Sequence, residues 1–254
     1  MGTRSGKSNT AEDKTVEQAY QKYKQLKQTV KEWQQEDNSY WLKDLKLADT
    51  PPYISVKNLP LAAVTQLWQR LNTFSNLNIS TSKLEEIWKQ VEKNEKVTDE
   101  IDEGVLLNLQ LAINGVAGLA GQIVAEKNLL ELETGNHHNN AVCPVCGELS
   151  SIVVLKAPNG NRVVHCNTCN LEWPSKRIGC IYCNETEPKK QMYLKNDAFP
   201  GIEVVACKSC GNYFKEIDAR ELVVEDYIWE DLRTIPLNYA TELWLKEHVP
   251  IKMA

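Results

Sequence analysis

Eight cysteines carry the chemistry legible in this 254-residue chain. They fall into four Cys-x-x-Cys pairs with none left over: Cys143 and Cys146, Cys166 and Cys169, Cys180 and Cys183, Cys207 and Cys210. Two thiolates separated by two residues grip one metal ion from a tight turn. A second such turn, brought in by a hairpin, completes a tetrahedron of sulfur. The spacing groups the pairs into two units. Within the units 19 and 23 residues separate the pairs, whereas only 10 separate the units. These intervals lie in or close to the range of four-cysteine sites. Pairing within each unit is the simplest assignment, and interleaved pairing stays open.

The neighbouring residues agree. The residue after each pair is Gly147, Asn170, Asn184 or Gly211. A metal knuckle folds the chain back so that N–H groups point at sulfur, and the next residue often needs positive φ, which Gly and Asn tolerate best. Pro144 pre-sets the first turn. Within the first interval Ser151 to Leu155 reads as a strand, Pro158 to Asn161 as a turn and Arg162 to His165 as the return. Within the second, Gln191 to Lys195 goes out, Asn196 to Gly201 turns and Ile202 to Ala206 returns. A thioredoxin-like redox pair comes singly, at a helix N-terminus, so four grouped pairs point to metal binding. Zinc and iron both accept tetrahedral sulfur, so the expected cofactors are two metal ions, zinc or iron. A segment of about 75 residues rarely builds a sufficient core without such staples.

Other chemistry is sparse. Gly2 to Ser8 is one residue short of a phosphate loop and follows no strand. His137 and His138 sit in a linker, Glu133 to Asn140, and read as a solvated loop because the eight thiolates already complete two sites. His165 adjoins a ligand and His248 lies near the end. No Ser-His-Asp set, general acid or general base can be placed, so no catalytic residues and no enzyme are expected.

The net charge of −5 argues against a general nucleic-acid binder, which needs a basic surplus to displace counterions. Lys176, Arg177, Lys189, Lys190, Lys195, Lys208 and Lys215 give the cysteine half some basic character. They keep a zinc-ribbon nucleic-acid module as an alternative. Met1 to Asp13 is polar, with no signal-peptide core after it, and no apolar run reaches about 18 residues. The expectation is a cytoplasmic protein without membrane insertion. In that compartment paired cysteines favour metal over disulfides.

The elements that must position these sites suggest an α+β chain. Residues 1–12 read as a disordered tail and 13–140 as a helical domain without cysteine. Residues 141–175 and 176–217 read as the two four-cysteine modules, and 218–254 as a C-terminal helical segment. In the helical half, Val16, Tyr20, Tyr23, Leu26, Val30 and Trp33 share one face of a helix from Thr10 to Asp37. A second helix starts near Pro60, with Val64, Leu67, Trp68 and Leu71 inward. A third starts at Ser82, where Ser82 and Glu85 form a capping box, and buries Leu84, Ile87, Trp88 and Val91. A fourth begins near Thr98 and extends to about Leu132 as a core helix. Gly115, Gly118 and Gly121 lie three apart inside it, which signals close approach of another element or a break. Asp218 to Arg233 reads as a helix, followed by another from Asn238 to Glu247.

The run from His165 to Cys183, His-Cys-Asn-Thr-Cys-Asn-Leu-Glu-Trp-Pro-Ser-Lys-Arg-Ile-Gly-Cys-Ile-Tyr-Cys, resembles the formate dehydrogenase accessory protein family, FdhE. So does the order of parts, with a helical half, then Cys143-Pro-Val-Cys146-Gly147, then the remaining pairs. The likeness covers about the C-terminal half. It implies two rubredoxin-like (zinc-ribbon-like) modules in a cytoplasmic accessory factor. Such a factor binds the catalytic subunit of formate dehydrogenase and is needed for its assembly or activity. Iron is associated with the family's cysteines, so a rubredoxin-like redox role on the same client is an alternative. The resemblance also covers Glu172, Trp173 and Arg177, in and around the bridge between modules. These three are candidate partner contacts, since aromatics and Arg lead at binding hot spots. The bland alternative is that Trp173 is packed between modules and Arg177 pairs with an acid.

Overall fold

The apolar spacings of the first half do form helices that converge on one core. The computed structural model describes residues 11–93, 101–127 and 140–249. The Gly2–Ser8 stretch, His137 and His138, and the two expected ends of the fourth helix lie outside the described residues.

Helix α1 (Ala11–Gln35) begins inside the expected tail. Its stripe from Tyr23 to Trp33 is buried, whereas Val16 extends beyond the core and is half exposed. After the one-turn α2 (Ser39–Leu42), helices α3 (Leu61–Phe74) and α4 (Thr81–Glu92) bury the expected Val64, Leu67, Trp68, Leu71, Leu84, Ile87 and Trp88. The cap of α4 is Ser80, whose Oγ accepts from Lys83 N, and not the expected Ser82–Glu85 box. Asp102 caps α5 (Glu103–Glu126) by accepting from Gly104 N at 2.7 Å.

Helix α5 has the length and composition of a membrane span, but most of its surface is covered by the rest of the chain. It runs unbroken through its glycines. A Cβ on Gly115 would stand 2.6 Å from Leu67 Cδ2 and 2.8 Å from Val30 Cγ1, so the row serves close approach. We expect Gly115→Val to cost about 1–3 kcal/mol, the usual penalty for overfilling a packed core, read as a lower denaturant midpoint with unchanged slope. An unchanged midpoint would mean that α1 and α3 do not press on α5 at this position.

The cysteine half forms one sheet. Its strands are β1 (Ile152–Lys156), β2 (Asn161–His165), β3 (Glu172–Pro174), β4 (Gln191–Lys195), β5 (Ile202–Cys207) and β6 (Tyr213–Asp218). The order is β3-β2-β1-β6-β5-β4. The two expected hairpins are present, as β1–β2 and β4–β5. Two strands were not expected. Strand β3 pairs Trp173 with Val164. Strand β6 pairs with β5 and, in parallel, with β1, placing Ile152 opposite Lys215 and Val154 opposite Ile217. The parallel pair fuses the two modules into a single six-stranded sheet in which they repeat in the same sense.

Strand β6 also corrects the expected helix from Asp218 to Arg233. The stretch Tyr213 to Asp218 has partners on both edges and ends as a strand, and only α6 (Tyr227–Arg233) is helical, capped by Asp226. Helix α7 (Ile235–His248) then crosses β5.

The sheet is covered on both faces. Val153, Val164, Val205 and Phe214 join the helical core around Trp33 and Trp68. Ile152, Val154, Ile202, Val204 and Ile217 face Leu237 of α7 and the turn residues before α6. Trp229 of α6 stacks on Tyr20 of α1 at 4.8 Å, and Lys24 and Lys27 pair with Glu225 and Asp226 at 3.0 Å each. The chain's last helices thereby tie the sheet back to its first helix.

Candidate metal centres

Each Cys-x-x-Cys forms the same knuckle. The amide of its first cysteine donates to the carbonyl five residues on, in Glu148, Leu171, Glu185 and Asn212. The residue four on donates back to that cysteine's carbonyl at 2.9–3.1 Å. Closing this loop forces positive φ at Gly147 (79°), Asn170 (60°), Asn184 (59°) and Gly211 (75°), as expected for residues that tolerate the left-handed region. Strands β1 and β2 carry the first two knuckles together, and β4 and β5 the other two. Because β1 and β6 are parallel, both sites lie at the same end of the sheet.

The grouping follows the simple assignment. The sulfurs of Cys143, Cys146, Cys166 and Cys169 lie within 4.8 Å of one another, as do those of Cys180, Cys183, Cys207 and Cys210. In the first set Cys143 and Cys169, and Cys146 and Cys166, are 3.5 Å apart. In the second, Cys180 and Cys210, and Cys183 and Cys207, are 3.7 Å apart. Metal–sulfur bonds of about 2.3 Å place the sulfurs of a regular tetrahedron roughly 3.8 Å apart. Both sets therefore fit a tetrahedral ion, and the separations are far too long for disulfides.

Four thiols this close cannot ionise independently. Sulfur–sulfur hydrogen bonds, led by the one with Cys143, hold Cys166 well below the usual thiol range and push Cys146 and Cys169 well above it. In the second set the hydrogen bond with Cys180 lowers Cys210 to about 5, while Cys180 is pushed up. A metal ion must displace the remaining protons, so its affinity rises with pH.

The surroundings of the two sites differ. The first is fully buried. Tyr53 N and Ile54 N donate to Pro144 O and Val145 O of its leading knuckle, at 3.3 and 2.9 Å. Asn114 Nδ2 of α5 donates to Asn167 O in the other knuckle, and Gly121 lies against Cys169. The loop containing Pro51 and Pro52 is thus part of the site's wall. In the second set Cys183 is exposed and Cys210 half-buried. Its knuckles are joined by Ser209 Oγ donating to Glu185 Oε2 at 2.9 Å, and Tyr182 OH donates across to Ser150 O of the first module.

The three candidate contact residues separate. Trp173 is buried, and its indole N–H donates to Asn140 O at 3.0 Å. Glu172 is half-buried, 2.6 Å from Lys156 Nζ and 3.4 Å from His165 Nδ1. His165 is itself buried against the Tyr227 ring at 4.9 Å. Arg177 is on the surface.

No family model matches the chain. Over 103 residues it is 32% identical to the "Protein FdhE homolog" of Edwardsiella ictaluri, covering 40% of this chain and 33% of that protein. Over 165 residues it is 28% identical to the homolog of Haemophilus influenzae, covering 64% of this chain and 52% of that protein. The matches thus span between a third and about half of these relatives' length. Among solved structures, the FdhE protein from Pseudomonas aeruginosa superposes with a TM-score of 0.56 over 90% of this chain and 86% of that one, at 17% identity.

Proposed function

We propose that this chain, a homologue of the FdhE proteins in sequence and a match to them in fold, is an accessory factor for formate dehydrogenase. In this reading it binds the catalytic subunit of that enzyme and supports its assembly, without catalysing a reaction itself. The observation that carries the reading is the coincidence of sequence homology with fold likeness over nine-tenths of the chain. The two modules act as rubredoxin-like sites, each holding one zinc or iron ion through four thiolates. The protein works in the cytoplasm, without nucleic-acid partner or membrane insertion. Trp173 contributes from inside, by holding β3 in place, which leaves Arg177 and, in part, Glu172 among the three candidates to touch a client directly.

The chain is expected to co-purify with a tagged formate dehydrogenase catalytic subunit. Cys-to-Ser change in either module lowers the yield. A variant lacking cysteines from both modules that is retained as well as the parent would remove the modules from recognition.

The exposure of Cys183 favours a second reading, in which iron in the outer site exchanges electrons with the client. Oxidised iron thiolates are coloured and zinc thiolates are not. A colourless protein, isolated from its own host without air damage and carrying two zinc ions, eliminates it.

A further inference from the structure

The two four-sulfur sites differ in what surrounds them far more than in their own geometry. At the first, a Cβ on Gly147 would stand 3.0 Å from Pro52, and Val145 and Cys169 lie against Gly121 of α5. The knuckle carbonyls there accept from Tyr53 N, Ile54 N and Asn114 Nδ2. No sulfur of this set is open to solvent. To reach an ion there, an incoming ligand must first part α5 and the Pro52 loop from the sheet, which opens the main core.

At the second site, a Cβ on Gly211, behind the trailing knuckle, would meet one atom among the described residues beyond its chain neighbours, Val249 Cγ1 at 3.8 Å. Cys183 is exposed and Cys210 half-buried, on opposite knuckles, while Cys180 and Cys207 are buried. One edge of the sulfur tetrahedron therefore faces water and the opposite edge faces the sheet. Exchange at a four-coordinate ion begins with attack by an incoming donor, and an open tetrahedral edge is where that donor fits.

We propose that the two ions have different duties: the first is a permanent staple, and the second is exchangeable through its Cys183–Cys210 edge with a soluble chelating donor. In the exchange step a nitrogen or oxygen donor of the incoming ligand forms a bond to the ion. The bond from the ion to Cys183 Sγ breaks, and the freed thiolate takes the proton released by the incoming donor. Cys210 leaves next in the same way, while Cys180 and Cys207 hold the ion until the chelate closes. The proposal rests on the metal-binding part of the reading above and not on the identity of the client.

The test uses the full chain loaded with two zinc ions and the chromogenic chelator 4-(2-pyridylazo)resorcinol. One equivalent is expected to leave at least tenfold faster than the other. Samples quenched with a maleimide during the fast phase and mapped by mass spectrometry are expected to carry label on Cys180, Cys183, Cys207 and Cys210. The other four stay unlabelled. Release of both ions in one phase, release of neither, or early labelling at Cys143, Cys146, Cys166 or Cys169 would each overturn the proposal. A chain that never takes up two zinc ions would instead fail the metal-binding reading, which separates the two failures.

Discussion

Cys166→Ser is expected to remove one of the two ions and to unfold the junction between the helical half and the sheet. Cys166 is buried at the end of β2, its sulfur 3.5 Å from that of Cys146, and it accepts from Thr168 N and Cys169 N at 3.4 Å. The knuckle it anchors is the one that α5 leans on, through Gly121 against Cys169 and Asn114 on Asn167. A structural zinc contributes about 10–16 kcal/mol of apparent binding energy in peptide models, against a whole-domain stability of about 5–15 kcal/mol. Losing even part of that energy at a buried site leaves little margin. We therefore expect a metal content of one per chain, loss of near-ultraviolet dichroism from the core tryptophans, and poor solubility.

Cys183→Ser provides the contrast. It also loses an ion, but the ligand is exposed, and Trp33, Trp68 and Trp88 sit in the core around the first site. Its near-ultraviolet signal should remain. If Cys166→Ser kept the parent's melting temperature while losing its ion, the first site would not be a staple.

Arg162→Ala is expected to cost about 3–5 kcal/mol, the range found when one partner of a buried ion pair is removed. The Arg162 guanidinium is almost fully buried, and its Nε donates to Glu216 Oε2 at 2.8 Å. Its Nη1 also donates to Lys176 O at 2.8 Å, and its guanidinium lies 5.1 Å from the centre of the Phe214 ring. Arg162 on β2 and Glu216 on β6 flank β1, so the pair spans the seam between the two modules. Removing Arg162 strands a carboxylate that is already hard to ionise, because burial raises the Glu216 pKa and Arg162 is what opposes that.

The pH dependence follows from the sign of the shift. A carboxylate whose folded pKa lies above its unfolded value costs stability once it must be charged, above the folded pKa. That cost disappears as pH falls towards the unfolded value. The deficit of Arg162→Ala relative to the parent should therefore be full at neutral pH and shrink as the acid range is entered. Replacing both partners with leucine removes the stranded charge and should recover much of the loss. Urea midpoints at two pH values, for the parent, the single variant and the double variant, check this. A deficit independent of pH and undiminished in the double variant would assign the loss to packing on Phe214 instead.

The sites were legible because metal ligation by thiolate is a local device. Two cysteines with two residues between them, followed by Gly or Asn, define a knuckle whatever the rest of the chain does, and all four knuckles close in the expected form. The helical stripes through Trp33, Trp68 and Trp88 were legible for a similar reason, since a helix carries its buried face in its own periodicity. Strand β6 was not, because Tyr213 to Asp218 becomes a strand through partners far away in sequence, β1 above all. Ser80 displaced Ser82 as a cap because two serines only two residues apart offer nearly equivalent starts, and the packed helix decides between them.

The amino-acid order alone thus determined which turns hold the sulfurs and that the first half is helical, and it pointed to pairing within each unit, which the structure then realised. All of these depend on neighbours within about thirty residues. Tertiary structure alone decided that the two modules share one sheet, that Trp173 faces inward, and that one site is enclosed while the other keeps an open edge. Those outcomes arise from apolar surfaces on distant segments finding the arrangement that buries them together, and burial of that kind leaves no local pattern to read.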